Sequence, residues 1–164
     1  MLLAAMTAGA FAADPLIDTP SALALQQQDL DFVRGAASGG VFEIKSSQYV
    51  IDHGITGDMR KFAEEMIKDH TALATKLTDL LHGKNITAPD SLSDDDQKLL
   101  DDLKKTPDDQ LAKAYVDDQV AAHTQAIALF DKESKDGKDV DLRGFASDHV
   151  GMLKTHAEHA KAVQ

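Results

Sequence analysis

From Met59 to Leu81 the apolar side chains return at every third or fourth position: Met59, Phe62, Met66, Leu73, Leu77 and Leu80, with Ala63, Ile67 and Ala74 widening the band. That is the period of a helix with one buried face. His70 stands inside the band, four residues after Met66 and three before Leu73, so its imidazole points where the apolar neighbours point. The pattern predicts a helix over about Asp58 to His82, closed by Gly83.

The same period runs through most of the chain. An earlier helix is predicted from about Ser21, after Thr19-Pro20, to Ile51. Its second half lines up Val33, Ala37, Val41, Ile44, Gln48 and Ile51, with Ala36, Gly40, Glu43 and Ser47 alongside. The small residues around Glu43, and the helix cost of Gly35, Gly39 and Gly40, predict that a neighbouring helix packs closely there. His53-Gly54 and Thr56-Gly57-Asp58 form the turn that follows.

Lys84 to Pro107 is the longest break in the pattern; it holds Pro89, the run Asp94 to Asp96, and a short helical stretch from Ser93 to Lys105. The acidic run suits a solvated face at a helix N-terminus, and it lacks the glycine and glutamate of a calcium loop. A third long helix follows from near Pro107 to about Lys132, with Leu111, Tyr115, Gln119, His123, Ala126 and Phe130 inward. After the Asp136-Gly137 turn, a fourth spans about Asp139 to Val163, with Leu142, Phe145, His149, Met152, His156 and Val163 on one face and Ala146, Leu153 and Ala160 alongside.

Four helices of roughly 25 residues, joined in pairs by short turns, make two antiparallel hairpins, and a connector of about 24 residues is long enough to cross the length of a bundle. The expected fold is therefore all-α, a ferritin-like four-helix bundle over residues 21–164 with a short helix in its crossover. With 164 residues, little Gly or Pro, no Trp, and no sustained strand alternation, the composition points to one all-α domain.

Charge and cysteine content narrow the chemistry. A net charge of −11 opposes binding to nucleic acid or to an anionic membrane surface, and it attracts cations. The absence of cysteine removes disulfides and thiolate metal sites. Met1 to Phe11 is small and apolar, and Ala10-Phe11-Ala12 has the form of a signal-peptidase site, so residues 1–12 are expected to be a signal-peptide remnant and 13–20 a lead-in. The expected location is the periplasm or another exported compartment. The apolar run is too short to span a bilayer.

Four stretches carry a family resemblance: Glu43 in G-G-V-F-E-I, Asp69-His70 in F-A-E-E-M-I-K-D-H-T, Tyr115 to His123 in A-Y-V-D-D-Q-V-A-A-H, and His156 in L-K-T-H-A. In order and spacing, over about Asp29 to Val163, they resemble the domain of unknown function 4142 family, mostly exported bacterial proteins placed in the ferritin-like superfamily. The chain departs from that pattern at Leu111-Ala112, where the family tends to show Phe-Asp, and at Gly151, where it tends to show proline. The resemblance implies a fold and no established activity.

Inward Glu and His on several helices of a bundle are metal ligands held by rigid elements. Counting helical rise puts His70, His123 and His149 at one height, with Glu43 and His156 on a second level about 10 Å nearer the first turn. A shift of a few residues in the helix ends merges the levels. The candidate ligands are Glu43, His70, His123 and His156, with Asp69, Tyr115, Gln119 and His149 as supporting or alternative groups. A single zinc, copper or iron ion suits them. Di-iron oxygen chemistry does not, because the chain has one inward glutamate and no Glu-x-x-His pair. His53, His82 and His159 are expected at the surface or at helix ends.

The same residues admit a second reading. Glu43, His70, Tyr115, Gln119, His123 and His156 can instead form a hydrogen-bonded network that sets helix register in a non-catalytic, stress-related binding module. An oxidase or peroxidase-like enzyme is a third, less supported by the ligand count. No phosphate loop, nucleophile elbow or serine triad is present in the sequence.

Overall fold

A computed structural model describes residues 25–163; the expected signal remnant, the lead-in and the proposed helix start at Ser21 lie outside the described residues. The described residues form five helices: α1 (Gln27–Asp52), α2 (Gly57–Gly83), α3 (Asp94–Lys104), α4 (Asp108–Asp136) and α5 (Val140–Ala162). None of these helices is long and apolar enough to cross a membrane.

Local chemistry sets the ends. The Asp94–Asp96 run is the first turn of α3, and Ser93 Oγ accepts from the Asp96 amide at 3.1 Å. Asp139 Oδ1 accepts from the amides of Asp141 and Leu142 at 3.0 and 3.1 Å, capping α5. Gly54 and Gly57 turn the chain between α1 and α2 with φ of 83° and 66°, a region that side chains other than glycine disfavour. α4 runs four residues beyond the expected Lys132 and carries the buried Glu133 in that extension.

Side-chain pairs give the topology. Glu43 with His123, and Ser47 with Tyr115, pair an ascending number on α1 with a descending one on α4, so these helices are antiparallel. Asp69 with His156, and Lys84 with Asp139, do the same for α2 and α5. α1 thus neighbours α2 and α4, and α5 neighbours the same two. The crossover starts at Ile86, buried beside Leu81, and ascends α1. There the Ser93 amide donates to Ser38 Oγ at 2.7 Å, Ser38 Oγ donates to Asp96, and Tyr49 Oη donates to the Lys104 carbonyl at 3.2 Å. This is a ferritin-like four-helix bundle, with α3 leaning on α1.

Two apolar cores occupy the two ends. One gathers Phe32, Val33, Leu77, Leu81, Phe130, Leu142 and Phe145; the other gathers Val50, Phe62, Met66, Leu103, Leu111, Tyr115 and Val116. A polar belt lies between them. The inward face of α1 is turned from the expected band: Gly40, Glu43, Ser46, Ser47 and Val50 are buried, whereas Val41, Ile44 and Ile51 are only partly covered and Gln48 is exposed. The reason is that α1 packs against α2, α3 and α4 together, which widens its covered sector. The close approach expected at all three glycines occurs at Gly35, where an added Cβ would meet Leu129 Cδ2 at 2.8 Å; at Gly39 and Gly40 it would meet nothing within 4 Å.

Asp29, 1% exposed, ties the open end of the bundle together. Its Oδ1 accepts from the amides of Lys138 and Asp139 at 2.7 and 3.2 Å, and its Oδ2 from the Gln26 amide at 3.3 Å. Asp29→Ala leaves these amides without their acceptor, and the expected loss is about 2–3 kcal/mol in urea unfolding. An unchanged midpoint would mean that the contact contributes nothing.

Candidate metal centre

The polar belt arises because α1, α2, α4 and α5 each place a polar residue where the apolar period calls for a hydrophobe. His70, His123 and His156 are 3%, 0% and 1% exposed. Their ring centroids are 5.5 Å apart for His70–His123 and 5.4 Å for each of the other two pairs.

Each ring offers a defined atom. His123 Nδ1 lies 2.9 Å from the Gln119 carbonyl, which can only accept, so Nδ1 carries the hydrogen and Nε2 keeps its lone pair. His156 Nε2 lies 3.0 Å from Asp69 Oδ2 and donates to that carboxylate, leaving Nδ1 with the lone pair. Those two nitrogens, and both nitrogens of His70, are buried with no hydrogen-bond partner. One nitrogen from each ring lies within 4.8 Å of the others. Even at that upper limit a central point is about 2.8 Å from each nitrogen, within about 1 Å of the 2.0–2.1 Å of a zinc–imidazole bond. Three imidazoles, two of them oriented by a carbonyl or a carboxylate, suit a borderline dication.

Burial holds the His70 and His123 rings neutral. It depresses the His70 pKa well below the usual histidine value, with the other two rings adding to the effect, and it pushes His123 down to about 4. Glu43 Oε1 is 3.4 Å from His123 Nδ1, and Oε2 has no partner. Desolvation pushes the Glu43 carboxyl up to about 8, against the opposing effect of the Gln119 side chain. Gln119 Nε2 donates to Ser46 Oγ at 3.2 Å. Tyr115 Oη and Ser47 Oγ are 2.7 Å apart, and burial raises the phenol pKa.

The structure therefore gathers His70, His123 and His156, with Glu43 beside His123 and Asp69 behind His156. The expected heights are corrected: His156, not His149, shares the level of His70 and His123. His149 lies farther along α5, its Nδ1 2.7 Å from the Phe145 carbonyl and its Nε2 3.3 Å from Lys76 Nζ. The antiparallel run of α2 and α5 matches residue 69 with 156 and 76 with 149, a register that counting rise from predicted ends missed. Ser46 and Glu65 were also missed, whereas His159 is exposed in the last turn of α5 as expected. The i, i+4 spacing of Glu65 and Asp69 on one helix, against His156 and His159 on another, was the available signal.

Comparison with known proteins agrees with the architecture. A family model described as domain of unknown function (DUF4142) matches residues 15–163. The crystal structure of a DUF305 fragment from Deinococcus radiodurans is similar at a TM-score of 0.72 and 12% identity, over 85% of this chain and 96% of that one. At that identity the likeness is one of fold. No curated protein is matched.

Proposed function

The chain belongs to the DUF4142 family, and since that membership carries no activity, we propose a function from the interior site: an exported bundle that binds one zinc, copper or iron ion through His70, His123 and His156. The observation that carries it is the trio of buried imidazoles with unpartnered inward nitrogens. A register network pairs its polar atoms with one another. Here the pairing runs to groups outside the trio, from His123 to the Gln119 carbonyl and from His156 to Asp69, and the atoms left over are buried without a partner.

Glu43 supplies charge balance. A buried dication favours the ionised carboxylate 3.4 Å from His123, so metal uptake near pH 7 is expected to release about one proton. The cysteine-free sequence and the all-nitrogen triad favour zinc or copper over a carboxylate-rich di-iron centre. The small-residue pattern of residues 1–12 supports export.

The test is titration of chelator-stripped protein with Zn2+, and with Co2+ as a visible-spectrum reporter, alongside elemental analysis of natively purified material. The expected result is one ion per chain with a four-coordinate Co2+ spectrum, and Asp69→Ala is expected to weaken binding by about 10–100-fold by releasing the His156 ring. Absence of saturable binding of Zn2+ and Co2+, with no zinc, copper or iron in the natively purified material, would overturn the proposal.

A further inference from the structure

The geometry points to the α2–α5 seam at Glu65, Asp69, His156 and His159 as the portal through which a divalent cation reaches His70 and His123. This inference rests on the metal-binding reading of the interior site and adds the route to it.

The triad needs a route because its rings are almost fully covered. Apolar contacts join three of the bundle's walls: Phe32 meets Phe130 across α1 and α4, Phe130 meets Phe145 across α4 and α5, and Val50 clusters with Phe62, Ala63 and Met66 across α1 and α2; the groove on the α4–α5 wall beside Thr124 and Ala157 is flanked by Lys154 and Lys161. The fourth wall differs. α2 and α5 share the least contact of the four neighbouring pairs, and polar rungs bridge them: Glu65 with His159 at 3.1 Å, Asp69 with His156 at 3.0 Å, Lys76 with His149 at 3.3 Å, and Lys84 with Asp139 at 2.8 Å. On the last two rungs the acceptors are already taken, by Lys76 at His149 Nε2 and by Lys84 at Asp139 and Asp141. The first two rungs present carboxylates and imidazoles.

Those two rungs form a graded path. Side-chain exposure falls from 51% at His159 and 36% at Glu65 to 27% at Asp69 and 1% at His156. One oxygen each of Glu65 and Asp69 and one nitrogen of His156 lie within 4.8 Å of one another, the same spacing that the interior triad satisfies. His156 belongs to both groups: Nε2 faces Asp69, and Nδ1 is buried without a partner. That unpartnered nitrogen is an observation independent of the surface carboxylates. An ion caught by Glu65 and Asp69 is one imidazole ring from the triad, and its ligands change from hard oxygens to nitrogens as it sheds water.

A portal lowers the barrier in both directions, so its loss slows loading and release together and leaves affinity in place. The experiment is stopped-flow mixing of apo-protein with Co2+, and of the loaded protein with a chelator, for the parent, Glu65→Gln/His159→Gln and Glu64→Gln. Glu64 pairs with Arg60 on the exposed side of α2 and controls for the loss of one negative charge. Expected is about a tenfold fall in both rates for the seam variant, with affinity held within about twofold and little change for Glu64→Gln. Unchanged rates in the seam variant, or an equal effect of Glu64→Gln, would overturn the portal while the metal site stands. A parent chain that binds no metal would remove both.

Discussion

Replacing His70 with leucine is expected to raise the stability of the metal-free protein and to abolish its stabilisation by zinc. Both ring nitrogens of His70 are buried without partners, and each such group loses water without a replacement. Leucine fills a similar volume and carries no polar atom, so the apo-protein should gain about 1–3 kcal/mol and melt several degrees higher. With zinc at one thousand times its Kd, the parent gains about 4.1 kcal/mol and the variant gains nothing. The order of the two melting temperatures should therefore reverse on adding metal. A register network makes the opposite forecast: the leucine variant would be the weaker protein with and without zinc. Thermal melts of both proteins, with and without zinc, decide between them.

The second large effect is on pH dependence. In metal-free protein Glu43 titrates near pH 8, against about 4.3 in an unfolded chain. Between those values the folded state holds a proton that the unfolded state has released, so stability falls as pH rises through this window and levels off above it. The full loss is on the order of 5 kcal/mol. Histidine works in the other direction. With His123 pushed down to about 4 and His70 also depressed, the unfolded chain takes up protons first as pH drops below about 6.5, and stability falls on the acid side. Apo-protein stability should thus peak near neutrality. Glu43→Gln should flatten the alkaline limb and steepen the acid limb, where the Glu43 proton opposes the histidines, as read from urea midpoints across pH 5–9. An alkaline limb of unchanged depth in the variant would show that the Glu43 carboxyl is not its source.

Much of this was legible without the fold. Apolar spacing found the helices to within a few residues at most ends, because a buried face needs three- and four-residue recurrence whatever it packs on. Helix-end signals helped, as at Gly83 and Pro107. The inward polar residues were visible for the same reason: His70, His123 and His156 interrupt an apolar stripe. The orientation of α1 was not legible. Its small and polar residues carry little hydrophobic contrast, and three neighbours share its surface.

What the sequence determined by itself is the set of rods, their order, the long crossover, and the presence of a few imidazoles and one carboxyl on inward stripes; these follow from local periodicity and turn chemistry. Only the tertiary structure decided which of them meet. The register between α2 and α5 brings His156 to His70 and sends His149 to Lys76. One helical turn of slippage, about 5.4 Å, would exchange such partners without altering any single helix. That register is a property of packing between distant segments, fixed by how two apolar cores close around a polar belt, and no local pattern encodes it.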